Sequence, residues 1–99
     1  MGDDSLLDKF TAELCSAEWK LLEPHFKRDA LFVAESDLNL VEVAVDIAED
    51  NVSKIKEILD SGQLRKPTEG EIEDWKSKPD DILGDFLIVS PYVIMQKKK

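Results

Sequence analysis

The sequence predicts an α+β fold that is mainly helical, with about five short helices and a minimal two-stranded sheet. Residues 86–95 are apolar except at Ser90 and Pro91, and such a run is typical of a buried strand. Residues 31–34 form a second apolar run between charged residues, as expected of a short strand. Elsewhere, apolar residues recur at helical spacing. Because a lone strand leaves its backbone hydrogen-bonding groups unpaired, we expect 31–34 to pair with 86–95.

The predicted C-terminal strand is apolar at both odd and even positions, so both of its faces should be covered. Proline inside a strand removes a ladder hydrogen bond and usually lies at an edge or in a bulge. We therefore expect a bulge at Ser90 and Pro91 that re-aims Tyr92. We interpret this bulge as structural, and a docking point for a partner at Pro91 and Tyr92 is the alternative.

Two helices are predicted before the first strand. Apolar residues at helical spacing predict the first helix over residues 6–14. Ser16 is a candidate N-cap for the second helix, which should end by residue 29 and be bent or divided at Pro24. The inner face of the first helix is predicted to comprise Leu7, Phe10 and Leu14.

Three further helices are predicted between the two strands. Asn39, Asn51 and Thr68 each precede a segment with helical periodicity, and each is a typical N-cap residue. Gly62 can end the second of these helices in a left-handed conformation, and Pro79 stops the third. The two strands are thus expected to be joined by a long helical excursion.

Length and charge limit the classes of function. Ninety-nine residues make one predicted domain over 1–99, with residues 1–4 and 97–99 expected to be disordered. The net charge of −9 disfavours nucleic acid as a partner, because an acidic surface repels phosphate, and leaves a basic protein partner open. No apolar run approaches the roughly 20 residues that span a bilayer, so no membrane partner is expected. Cys15 is the only cysteine, which favours a cytoplasmic location.

Few side chains offer catalytic or metal-binding chemistry. One cysteine and one histidine cannot supply the roughly four ligands of a structural zinc site, and no metal or other cofactor is expected. His25 is interpreted as a partly exposed surface histidine rather than as a general base for Cys15. For Trp19 and Trp75, core packing is favoured over lining a ligand pocket, because both fall on apolar helix faces. The candidate interaction or pocket residues are Trp19, His25, Trp75, Pro91 and Tyr92.

Several motifs together resemble a known family. The motifs are residues 19–22 with Phe26, residues 38–44, Trp75, and residues 89–96. They are similar to those of the small bacterial proteins of domain-of-unknown-function family 2288 (DUF2288). The chain departs from the family pattern at Asn39 for aspartate, at Tyr92 for tryptophan and at Asp29 for glycine. The resemblance implies a bacterial, cytoplasmic protein, and it supplies no catalytic residues.

We expect a non-catalytic protein-interaction or regulatory module. A small enzyme with a carboxylate-based site is one alternative, and it would require a deep pocket that holds a carboxylate with a raised pKa. An acidic nucleic-acid mimic is another alternative, and it would require carboxylates spaced like a phosphate backbone. A homodimer is a further expectation, since a second copy could cover a sheet face that the chain's own helices leave open.

Overall fold

The computed structural model describes residues 2–89 and 91–97, with side chains from Leu6 onward. Within these ranges the chain forms five helices and five strands. In chain order the elements are α1 (Gly2–Glu13), β1 (Cys15–Ala17), α2 (Trp19–Lys27), β2 (Leu31–Ala34), α3 (Leu40–Ala48), α4 (Val52–Asp60), β3 (Leu64–Arg65), α5 (Glu69–Lys76), β4 (Gly84–Val89) and β5 (Tyr92–Lys97). The α+β class is therefore confirmed.

The strands form one mixed sheet in the order β1-β4-β5-β2-β3. β2 runs parallel to β5, with Leu31 opposite Val93, and the other neighbours are antiparallel. The predicted pairing of 31–34 with part of 86–95 is confirmed. The prediction of only two strands is wrong. β1 and β3 contain three and two residues, and strands this short show no alternating apolar pattern by which the sequence could reveal them.

The predicted C-terminal strand is a hairpin rather than one strand. β4 ends at Val89, β5 begins at Tyr92, and the antiparallel ladder pairs these two residues. Pro91 lies in the turn between them, where its missing N–H removes no ladder hydrogen bond. The predicted bulge at Pro91 is therefore wrong, and Ser90 lies outside the described residues.

Helices cover both faces of the sheet, as the apolar pattern of the hairpin predicts. α1, α3 and α4 pack on one face, where Leu87 and Ile94 lie in the core. α2 and α5 pack on the other face, where Val93 and Met95 are fully buried. Helices of the same chain thus pack on both faces of the sheet, whereas the sequence left open that a second copy covers one of them.

The first two helices differ from their predicted forms. α1 begins at Gly2, and its buried contact is made by Phe10, whereas Leu7 and Leu14 are exposed. α2 continues through Pro24 without dividing, and Ser16 lies in β1 instead of capping α2.

Residues 1–4 and 97–99, for which disorder is predicted from the sequence, are described only in part. Residues 2–4 lie in α1 and Lys97 lies in β5, whereas Met1, Lys98 and Lys99 are outside the described residues.

The predicted helix ends between β2 and β4 are mostly confirmed. The Asn39 side chain accepts hydrogen bonds from two backbone N–H groups at the start of α3, and Thr68 forms a capping box with Glu71. Gly62 follows α4 with a φ of 82°, the left-handed conformation that glycine favours. Asn51 precedes α4 but makes no side-chain cap.

Candidate functional site

An apolar groove opens on the face of the sheet that carries α3 and α4. It has a volume of about 90 Å³, and every residue that lines it is aliphatic or aromatic. These residues, which define the apolar groove, are Phe32, Ile47, Ile55, Leu59, Leu64, Tyr92 and Ile94. The groove therefore offers burial to an apolar group and no hydrogen-bonding side chain apart from the Tyr92 hydroxyl.

The sequence of α4 builds one wall of the apolar groove. Val52, Ile55 and Leu59 are spaced by three and four residues and so share one side of the helix. Ile58 points to the core and is buried, whereas Leu59 is 42% exposed and Val52 is 63% exposed. α4 thus carries more apolar surface than its contact with the sheet covers.

The opposite wall is made by two aromatic side chains of neighbouring strands. Phe32 and Tyr92 meet edge to face, with ring centroids 5.8 Å apart. The Lys66 ammonium lies 5.9 Å from the centroid of the Phe32 ring and forms an ion pair with Asp29. Tyr92 remains 43% exposed, so this candidate from the sequence lies at the open side of the groove.

The two tryptophans lie in the core between the sheet and the helices α2 and α5. Trp19 and Trp75 are each 3% exposed, and their ring centroids are 6.2 Å apart. Phe26 contacts Trp19 and lines a groove of about 370 Å³ above them, together with residues of α5 that include Glu69, Glu73 and Lys76. The tryptophans line none of the four cavities we describe, and the groove above them has charged sides.

His25 and Pro91 do not join the apolar groove. His25 Nδ1 lies 2.6 Å from Arg28 Nη2, and partial burial followed by the Arg28 charge lowers the pKa of His25. The imidazole is thus held neutral near pH 7. Pro91 is exposed in its turn. Of the five candidate residues, the structure brings only Tyr92 into a cavity that we describe.

A charged cluster joins the end of β3 to α5 and β5. Arg65 Nη1 and Nη2 donate to the two Glu71 oxygens at 2.8 and 3.0 Å, and Arg65 Nε donates to Glu35 at 3.0 Å. Lys97 Nζ donates to Glu71 at 2.7 Å, and the Thr68 backbone N–H donates at 2.9 Å. The hydrogen bonds from Arg65 are the main reason why the pKa of Glu71 falls to about 2, against the opposing effect of burial. A carboxylate held in this way is unsuited to act as a base near neutral pH.

A second set of polar side chains crosses three neighbouring strands. Asp85 lies opposite Ser16 of β1 on one side and opposite Gln96 of β5 on the other. We call Ser16, Asp85 and Gln96 the polar row. It borders cavities of about 390 and 270 Å³, both of which are lined by Asp85 and Gln96.

Burial raises the pKa of one carboxyl. Asp46 of α3 is partly buried, and this burial outweighs the opposing effects of the Lys54 charge and of a hydrogen bond from Asn51. Asp46 lines none of the four cavities. Among the described residues, no group of three or more potential ligand side chains is placed to hold a metal ion.

The fold defines the class of protein as a mixed β-sheet covered by helices on both faces. Residues 5–97 match the model of the family described as Protein of unknown function (DUF2288), so the chain belongs to this family. The chain is also similar to PA1075 from Pseudomonas aeruginosa, known from an NMR solution structure. The TM-score is 0.77 and the sequence identity is 33%, over 96% of this chain and 86% of that chain. No curated protein matches the chain. Along residues 2–89 and 91–97, no helix is both long and apolar enough to cross a membrane.

Sequence reasoning missed most of the apolar groove and all of the polar row. The spacing of Val52, Ile55 and Leu59 indicates an apolar face of α4, but it does not reveal that part of this face stays uncovered. The polar row depends on β1, whose three residues carry no recognisable strand pattern. The sequence did offer one signal for the polar row, because Asp85 and Gln96 are polar residues at the two ends of an apolar hairpin.

Proposed function

We propose that this protein is a non-catalytic protein-interaction or regulatory module, and that its apolar groove receives an apolar side chain of a partner polypeptide. The observation that carries the proposal is the wholly aliphatic and aromatic lining of the groove. Solvent reaches this lining at Leu59 and Tyr92. Interfaces gain most of their binding energy where an anchor side chain fills such a pocket and water is excluded around it.

The size of the apolar groove favours a side chain over a metabolite. Drug-sized ligands occupy clefts of roughly 300–1,000 Å³ with several convergent polar groups. The groove measures about 90 Å³. An apolar cavity of about 150 Å³ holds a molecule as large as benzene, so the smaller groove suits one aliphatic side chain.

Charge favours a basic segment around that anchor. The chain carries 22 acidic and 13 basic residues, and part of the basic set is held in ion pairs such as Arg65 with Glu71 and Lys66 with Asp29. The remaining acidic surface would steer a basic partner towards the protein and repel an acidic one. The single cysteine favours placing this interaction in the cytoplasm.

Neither alternative function has a comparable observation in its favour. A carboxylate-based enzyme needs a carboxyl with a raised pKa in a deep pocket, and Asp46 lies outside the cavities we describe. A nucleic-acid mimic needs an uninterrupted acidic surface. Here, lysine and arginine side chains form ion pairs with Glu71, Asp80 and Asp74, and these pairs interrupt the acidic surface.

Affinity capture with matched variants tests the proposal. Leu59→Lys places a charge at the groove, whereas Leu21→Lys places the same charge on α2 at a leucine that is almost equally exposed, 43% against 42%. We expect a captured partner to be lost with Leu59→Lys and kept with Leu21→Lys. The same captured proteins from the wild type and both variants would contradict the proposal.

A second copy of the chain is the alternative occupant of the groove, in keeping with the expected homodimer. Light scattering coupled to size exclusion separates the two occupants. If a second copy binds, the wild type has twice the chain mass of 11.2 kDa and Leu59→Lys has the single mass. If the occupant is another protein, both have the single mass.

A further inference from the structure

We propose that the polar row binds a cationic group, an ammonium carried on a short alkyl chain. The site lies on the same face of the sheet as the apolar groove but at the other end of β5. Tyr92 and Gln96 are four residues apart, or about 13 Å along the strand. This inference is independent of the function proposed for the groove.

Hydrogen-bond acceptors dominate the polar row. Gln96 Nε2 donates to the backbone oxygens of Glu35 and Leu38 at 2.8 and 2.6 Å, which holds the side chain and leaves its Oε1 to accept. Within the described part of the chain, the side chains of Ser16 and Asp85 take part in no hydrogen bond or ion pair. A carboxylate, an amide oxygen and a hydroxyl together suit a ligand that is rich in donors.

The charge at the polar row is negative and uncompensated by the described residues. Lys97 also lines the larger cavity, but its Nζ lies 2.7 Å from Glu71 and its charge is engaged there. Asp85 is thus the remaining formal charge among the described residues that line this cavity. A cation would gain a charge-assisted hydrogen bond at Asp85, whereas an anion would be repelled.

Apolar side chains next to Asp85 define the rest of the ligand. Ile82 lines the larger cavity and is 48% exposed, and Leu14 lines the smaller one and is also exposed. A volume of about 390 Å³ lies in the range of small-molecule sites, roughly 300–1,000 Å³. An alkyl chain could therefore lie on Ile82 or Leu14 while its ammonium meets the carboxylate. The same chemistry is offered by a free alkylamine and by a lysine side chain.

Titration followed by amide NMR tests this site. The probes are butylammonium chloride, 1-butanol as a neutral control of equal length, and N-acetyl-lysine methylamide as a lysine side chain with a blocked backbone. We expect butylammonium to shift the amide signals of Asp85 and Gln96, and 1-butanol to leave them in place. Binding of the lysine derivative as well would point to a protein-borne cation, and binding of butylammonium alone to a free amine.

Variants decide whether the shifts report the proposed site. Asp85→Asn should weaken butylammonium binding about tenfold, since it removes the charge from the hydrogen bond, and Asp85→Glu should restore most of it. Asp60→Asn is the matched control, because Asp60 is an exposed acid on α4 outside both cavities. The titration is repeated with Lys98→Ala and Lys99→Ala combined, which removes two positive charges close in sequence to Gln96. The proposal is overturned if neither background shows shifts at tens of millimolar, or if Asp85→Asn binds as well as Asp60→Asn.

Discussion

The two faces of the sheet differ in the side chains that line their grooves: the groove on the α2/α5 face has charged sides, whereas the apolar groove on the other face has none. On the α2/α5 face, large aromatic rings fill the space between helix and sheet, and Trp19 and Trp75 are almost wholly buried. On the α1/α3/α4 face the covering side chains are mostly aliphatic. That face leaves the apolar groove near Tyr92 and the polar row at Asp85.

This difference shows that an apolar helix face is not by itself evidence of a closed core. α4 has a clear apolar side, yet it buries Ile58 and leaves Leu59 42% and Val52 63% exposed. α5 has fewer apolar residues, but Ile72 and Trp75 are both buried. The face with uncovered apolar surface is therefore the one to which the proposed interaction belongs, and the buried aromatic rings of the other face should contribute more to stability.

The largest contrast should come from truncating one side chain on each face. Trp75→Ala should lower the free energy of unfolding by about 3–5 kcal/mol, because it removes a buried aromatic ring and leaves a cavity. Leu59→Ala should change it by less than about 1 kcal/mol, since that side chain is already partly in water. Chemical denaturation measures both. Equal losses would mean that the groove is as much a part of the core as the tryptophan cluster.

The next largest effect is expected at Gly84, where β4 and β5 approach closely beside the polar row. A Cβ at this position would collide with the backbone oxygen of Gln96 and lie 2.9 Å from Lys97 Cα. Gly84→Ala should destabilise by about 3 kcal/mol, because backbone atoms cannot move aside as a flexible side chain can. Thermal unfolding measures this loss.

Gly70 provides the matched control for Gly84. It lies in the first turn of α5, and the nearest atom to an added Cβ is Thr68 Oγ1 at 4.0 Å. Gly70→Ala should stabilise by about 0.5–1 kcal/mol, because alanine loses less backbone entropy in a helix. A similar loss for both variants would refute the close approach at Gly84.

A smaller effect should follow from acid. Because the pKa of Glu71 is about 2 in the folded chain and ordinarily 4.5, its contribution is complete above about pH 5.5 and is lost as the pH falls towards 2. We expect this loss to be about 1–2 kcal/mol, since solvent reaches the cluster and weakens its ion pairs. The difference between wild type and Glu71→Gln across pH 2–7 isolates this residue. A difference independent of pH would contradict the assignment.

The smallest expected effects lie at two residues with left-handed backbones. Asp29 and Asp50 have φ values of 61° and 56°, a conformation that costs most residues roughly 1–2 kcal/mol and glycine very little. Asp50→Gly should stabilise by about 0.5–1 kcal/mol. Asp29→Gly should gain less, because it also removes the exposed ion pair with Lys66. Denaturant midpoints compare them, and destabilisation by Asp50→Gly would show that its side chain has a role that we have not identified.

The fold was predictable where local chemistry is decisive. The N-caps at Asn39 and Thr68 and the glycine turn at Gly62 depend on a few neighbouring residues, and the structure confirms them. The family pattern of glycine at Asp29 also has a local reason, since that residue is left-handed. The division of the C-terminal run into a hairpin at Pro91 was not predicted, because residues on both sides of the turn are equally apolar.

The candidate site was predictable only in part, because it depends on packing between distant segments. Tyr92 was named as a candidate, but its contact with Phe32 arises from the parallel pairing of β2 with β5. The opening beside Leu59 depends on the angle and position at which α4 packs against the sheet. The helical spacing of apolar residues determines neither.

Methyl NMR of the protein under xenon pressure tests the difference between the two faces most directly. Xenon binds at apolar cavities, so it should shift the methyl signals of groove residues such as Ile55, Leu59 and Ile94. The methyl signals of Leu22 and Val93, which lie in the same core cluster as the tryptophans, should not move. Leu59→Trp should fill the groove and abolish the shifts. Shifts that are absent from the groove, or that are larger beside the tryptophans, would contradict the account.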